Sequence, residues 1–217
     1  MKSGLKKEGN LYLKVPNKMI RNKDINISSD EFLLYSRICY LYFRSYKQKE
    51  FTVNLLKMKD LLRFADNRTL KSRLNKLYKY GLIENHITEL PRNHQLTIVF
   101  NDDLYNSQNG FTLINSNVFE AVKESKINSH AFRLLLYYKS HINLQTDNKF
   151  CFVGYQTITA HLKLNSVKIK EANEQLKKAG MIKIVKHKLE PTYEYDHDDE
   201  LVYNRYNNHY YVADRLH

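Results

Sequence analysis

The stretch Asp66-Asn67-Arg68-Thr69-Leu70-Lys71-Ser72-Arg73-Leu74-Asn75-Lys76-Leu77-Tyr78-Lys79-Tyr80-Gly81-Leu82-Ile83 decides how the chain is read. Leu70, Leu74 and Leu77 recur at helical spacing on one side, and Arg68, Lys71, Ser72, Asn75, Lys76 and Lys79 fall elsewhere, so the segment is an amphipathic helix. Asp66 or Asn67 can cap its first free amides, and Gly81 can take the left-handed conformation that closes its last turn. Between Arg68 and Lys79 the helix carries five cations and no anion. That polarity suits a phosphate-bearing partner.

The rest of the composition fits this reading. A chain of 217 residues with 42% hydrophobic content can bury a core as one domain or two. It has no apolar run of about 18 residues, so no membrane span is expected. The charged start, Met1 to Glu8, leads into no apolar segment of the secretory kind, and a cytoplasmic protein is expected. Cys39 and Cys151 lie among apolar neighbours without metal-type spacing and read as two reduced core thiols. The net charge of +12 is unevenly spread. Residues 1 to 100 hold 20 Lys and Arg against 9 Asp and Glu, whereas residues 101 to 217 hold 15 against 14. A polyanion held mainly by the first part follows from that imbalance.

The chain also resembles itself. At an offset of 100 residues Leu13 meets Leu113, Asn17 meets Asn117, Ile27 meets Ile127, Ser29 meets Ser129, Phe32 meets Phe132, Leu34 meets Leu134 and Leu62 meets Leu162. With one residue deleted, Leu70 meets Ile169, Leu77 meets Leu176, Gly81 meets Gly180 and Ile83 meets Ile182. The matches fall on core and cap positions, which means two copies of one fold.

Each copy reads as a short strand (Leu11 to Val15; Phe111 to Ile114), a short helix and a longer apolar helix from near Ser29 or Ser129. An extended piece (Phe51 to Val53; Phe150 to Val153), a helix (Leu55 to Phe64; Gln156 to Leu162), a turn, and the cationic helix or its counterpart Ser166 to Ala179 follow. After Gly81, Leu82 to Thr88 and Gln95 to Asn101 read as a hairpin with a proline-containing tip. In the second copy Ile182 to Leu189 pairs with Leu201 to Tyr206 or with His209 to Ala213. Helix, turn, helix and hairpin describe a winged helix. The fold expected is therefore α+β, mainly helical, with two tandem winged helix-turn-helix domains at 1–101 and 111–217 and a polar linker at 102–110.

In a helix-turn-helix the start of the second helix meets base edges while flanking cations hold phosphates. Asn67, Arg68, Thr69, Lys71 and Ser72 are accordingly assigned to bases, and Asn75, Lys76 and Lys79 to the backbone. Arg can pair bidentately with guanine and Asn with adenine. Arg92, at the hairpin tip, can enter a minor groove. In the second copy Ser166, Lys168 and Lys170 open the equivalent helix, but Glu171 and Glu174 oppose phosphate, which leaves that copy as a dimerisation unit or a second DNA contact.

Other features read as structure. Glu194 to Glu200 lacks the spacing of a calcium or zinc site and reads as a solvated acidic loop, and the tyrosines from 193 to 211 suit sheet packing or a subunit interface. No phosphate-cradling glycine loop, Gly-x-Ser-x-Gly, His-Glu-x-x-His or Cys-x-x-Cys is present, so no enzymatic activity, metal or cofactor is expected.

The run Leu11 to Ile20 followed by Ile27 to Tyr35, and the ending Leu74 to Glu84 echoed by Leu176 to Ile182, resemble the winged-helix DNA-binding domains of replication initiators from Gram-positive plasmids and phages. The tandem arrangement is similar to that of initiators in which one copy dimerises and the other reads repeated sites near an origin. The resemblance implies sequence-specific binding of double-stranded DNA in replication initiation or its control, with a homodimer and replication proteins as partners. A winged-helix transcriptional regulator, working with transcription proteins, is the second expectation. A protein-interaction module that does not bind DNA is the third.

Overall fold

The computed structural model describes residues 12–22, 25–106, 110–142, 149–186, 190–195, 201–204 and 208–217. The chain is mainly helical α+β, with small antiparallel sheets. In order, β1 (Tyr12–Pro16), α1 (Asn17–Ile20), α2 (Ser29–Arg44), β2 (Glu50–Asn54), α3 (Leu55–Leu62), α4 (Asn67–Lys79), β3 (Gln95–Val99) and α5 (Asp102–Asn106) make up the first half. The second half has β4 (Phe111–Asn115), α6 (Val118–Lys123), α7 (Ser129–Lys139), α8 (Tyr155–Leu162), α9 (Ser166–Lys178), β5 (Ile182–Val185), β6 (Glu190–Tyr195), β7 (Leu201–Asn204), β8 (His209–Val212) and a final 3-10 turn.

Local chemistry sets the element ends, and it does so twice. Asn54 accepts from the Lys57 amide to start α3, Asp66 from Thr69 to start α4, and Asn165 from Lys168 to start α9. α3 and α8 each stop on a cation in the left-handed region, Arg63 at φ 58° and Lys163 at φ 56°. α4 and α9 each run into a glycine, Gly81 at φ 68° and Gly180 at φ 62°, where a side chain would be strained. α2 begins with a reciprocal capping box between Ser28 and Glu31.

The two halves are joined by a shared ladder rather than a tether. β1 pairs antiparallel with β4, with Leu13 opposite Ile114 and Lys14 opposite Leu113. Since 13 and 113 are equivalent positions, as are 14 and 114, the ladder has an internal two-fold axis. The same reciprocity holds between α2 and α7. Asp30 accepts from Ser129 Oγ at 2.6 Å, Ser29 Oγ meets His130 Nδ1 at 2.9 Å, and the rings of Phe32 and Phe132 lie 6.2 Å apart. A single hydrophobic cluster runs through both halves.

Four details depart from the sequence reading. Residues 102–106 are a helix rather than plain linker, because Tyr105 is buried among Tyr42, Phe100 and Phe111. The partner of β3 is β2, not Leu82 to Thr88. The latter stretch touches the sheet at one bridge, Ile83 to Phe100, because the Asn85 side chain takes over the edge by accepting from Val99 and donating to Thr97. The segment then turns towards α4. In the second half the return partner of β5 is β8, the second of the two strands expected for it, but β6 with β7 forms a separate antiparallel pair between them that was not expected. Linker residues 107–109, strand residues 187–189 and the acidic residues 196–200 lie outside the described residues.

Candidate nucleic-acid interface

α4 presents one sealed face and two tethered flanks. Leu70, Leu74 and Leu77 are fully buried, as their spacing requires. On one flank Asn75 donates to the Ile87 carbonyl and accepts from its amide, both at 2.9 Å. That pair ties the helix to the segment after Gly81 and uses the side chain assigned above to a phosphate. On the other flank Arg73 Nη1 reaches Glu31 at 3.1 Å, Arg73 Nη2 reaches Asp30 at 3.1 Å, and Lys76 Nζ reaches Glu31 at 3.0 Å.

Glu31 is only 2% exposed and is the hub of this flank. Burial alone would raise its carboxyl, but the Ser28 amide and Lys76 outweigh burial and hold it below the ordinary value. Two of the five cations on α4 are therefore paired within the protein, Lys76, expected above at the DNA backbone, among them. Sequence could not show this, because Asp30 and Glu31 are about 40 residues away on α2.

Arg68, Ser72 and Lys79 remain on the outward ridge, all exposed, with Asn67 exposed at the helix start and Lys71 and Thr69 half-buried on either side. Arg68, Lys71 and Lys79 carry no ion pair among the described residues. Asp66, ahead of them, accepts from Thr69, which keeps its carboxyl below the ordinary value. Arg63 is exposed in the turn leading into α4 and extends the cationic surface. Sequence reading passed over it, although its place between two capped helices was visible. Arg92 is exposed at a turn closed by His94 N–H donating to Pro91, and the His94 carbonyl accepts from Leu55 at the start of α3. The tip therefore folds back on the helices.

The matching helix α9 has a different ridge. Ser166, Lys168 and Lys170 are exposed, but the positions equivalent to Arg68 and Ser72 hold Val167, 59% exposed, and Glu171. Lys177 is paired with Glu174 at 3.0 Å. Gln175, equivalent to Lys76, accepts from the Asn128 amide at the start of α7, so both helices are pinned to the same seam. A cleft of about 470 Å³ there is lined by Thr69 of α4 and Gln175 of α9, among others, which puts both helices on one side of the molecule. At its edge burial and Lys168 hold His130 below the ordinary imidazole value.

Cys39 and Cys151 are fully buried, and burial raises both thiols, Cys151 to about 12. Neither is poised for chemistry. No helix among the described residues is long and apolar enough to cross a membrane. No family model matches the chain, and a search of curated proteins finds no match.

Proposed function

We propose that this protein binds duplex DNA sequence-specifically, laying α4 in a major groove. The observation that carries the reading is the outward ridge of Arg68, Ser72 and Lys79. The protein anchors every other side of α4, through Leu70, Leu74 and Leu77, through Asn75 and through Arg73 and Lys76, and among the described residues leaves this ridge without an ion pair. A rigidly seated helix with free donors along one edge meets the geometric demand of direct readout. Arg68 is the guanine reader, with Asn67, Thr69, Lys71 and Ser72 beside it, and Lys79 and Arg63 hold phosphates. No catalytic step is assigned.

The internal two-fold bears on the kind of site. One chain offers two related but chemically unlike helices, which fits an asymmetric site better than a palindrome. Asymmetric sites repeated head to tail suit the replication-initiator reading implied by the resemblance, on a plasmid or a phage. A transcriptional regulator would instead occupy one operator beside a promoter, and footprinting separates the two.

The test is selection of bound duplexes from a random pool at near-physiological salt, using the full chain. An asymmetric enriched motif is expected. Arg68→Ala should cost about 1 to 3 kcal/mol on that motif and relax one position, whereas Lys79→Ala should weaken all sequences alike and reduce the salt slope by about one. A pool with no enrichment, or equal salt-sensitive losses from both variants, overturns direct readout.

A further inference from the structure

The sheet of the second half has an outer face unlike its counterpart in the first. Residues 150–152 run beside β8 through the Cys151 to Tyr210 bridge, and β5 flanks β8 on its other side. Cys151 and Tyr210 are fully buried and face the core, where the Tyr210 ring stacks on Tyr138 at 4.1 Å. Alternation along each strand therefore turns Phe150, Phe152, His209 and Tyr211 outward. Phe150 lies 3.9 Å from His209, 5.5 Å from Tyr211 and 6.2 Å from Phe152, centroid to centroid. Phe152 is 62% exposed. Lys183 is the register partner of Tyr211 and shares its face, and Lys149 and Lys186 are exposed at the ends of adjoining strands.

At the equivalent positions the first half carries Glu50 and Thr52, paired with Val99 and Thr97. The core-facing residues stay apolar in both halves, with Phe51 opposite Ile98 in one and Cys151 opposite Tyr210 in the other. Packing therefore does not require rings on the outside of the second sheet. Rings a few ångströms apart, Phe152 exposed and the other three half-buried, with Lys183 on the same face, match unpaired bases strung on a phosphate backbone, because every base offers a π-face and each phosphate one charge. A duplex hides its base faces and cannot use such a surface.

We infer that the outer face of the β5–β8–150–152 sheet binds single-stranded DNA, with Phe152 as the principal stacking residue and Lys183 as a phosphate contact. The choice of DNA over RNA rests on the duplex-DNA reading above. The stacking surface itself is independent of α4, which belongs to the other half.

The test uses the full chain with fluorescent oligo-dT, oligo-U of equal length and a selected duplex, read by anisotropy at near-physiological salt. Phe152→Ala should weaken oligo-dT binding by about tenfold, the loss of one stacked base, and leave duplex binding unchanged. Lys183→Ala should weaken oligo-dT binding less and flatten its salt dependence. Because Phe152 is exposed, an unchanged melting curve should accompany the effect. Four results overturn the inference: no oligo-dT binding by the parent chain, oligo-dT binding lost on Arg68→Ala but kept on Phe152→Ala, tighter binding of oligo-U than oligo-dT, or a Phe152→Ala change in sedimentation without a change in strand binding. If the duplex arm alone fails, α4 readout falls and the stacking face stands.

Discussion

The first half and the second half use the same frame for different surfaces. α3 and α8 cover matching spans, α4 and α9 follow at matching distances, and both pairs stop on the same kinds of residue. Yet the ridge of α4 carries Arg68, Ser72 and Lys79 where α9 carries Val167, Glu171 and Lys178, and the outer sheet carries Glu50 and Thr52 where its twin carries Phe150 and Phe152. Positions that cap or fill the core have been kept, and positions that face solvent have diverged. The difference lies mainly in surface chemistry.

Several core positions break the rule, Arg133, Lys139 and Asn173 among them. Arg133 stands where the first half has Leu33, and Asn173 where it has Leu74. Arg133 is fully buried and donates to the Ile27 and Met19 carbonyls and to Asn22, with its guanidinium over the Phe32 ring. Burial lowers this group to about 9, so it stays charged at neutral pH. It closes the loop ahead of α2 from across the seam, a task its twin does not have. Asn173 accepts from the Tyr138 hydroxyl at 2.9 Å.

The comparison is most severely tested by removing that exception. Arg133→Leu makes the two halves alike at this position but strands two buried carbonyls and removes a donor from Asn22, and should cost about 3 kcal/mol in urea unfolding. A neutral result would mean that the seam tolerates symmetry. Next comes Glu31→Gln, which removes the charge that seats α4 and should cost about 2 kcal/mol. The same contact predicts a pH dependence. The Glu31 carboxyl is lowered from 4.5, so its contribution is complete above that value and is lost as pH falls through the lower folded value. A pH titration of stability should therefore show an acid-side loss that is smaller in Glu31→Gln. The smallest effect expected is from grafting Val167→Arg together with Glu171→Ser onto α9, which should strengthen duplex binding by about 1 kcal/mol. No gain would show that α9 does not reach DNA in the bound complex.

Much of the frame was legible in sequence, because helix ends are written locally. Asp66, Gly81 and the leucines of α4 fixed its limits, and the offset matches exposed its twin. What escaped was long-range. Nothing near Asn75 tells that its amide is taken by Ile87, and nothing near Lys76 names Glu31 as its partner. β3 carried a correct strand pattern but gave no hint that its neighbour would be β2, since alternation specifies which face is buried and not which strand adjoins it. The aromatic outer sheet escaped for a related reason. Phe150 and Phe152 read only as apolar neighbours of Cys151 in an extended piece, and the Cys151 bridge is what fixes which way they point.

The ladder between β1 and β4 also governs how the chain can be made. During synthesis β1 leaves the ribosome about a hundred residues ahead of the strand that completes it, and Phe32 waits equally long for Phe132. The early half therefore emerges with an unfinished edge and a greasy flank, and closes only when residues beyond 132 arrive. A fragment ending at residue 101 would keep that condition permanently, so nascent-chain stalling, rather than truncation, is the way to watch the first half fold.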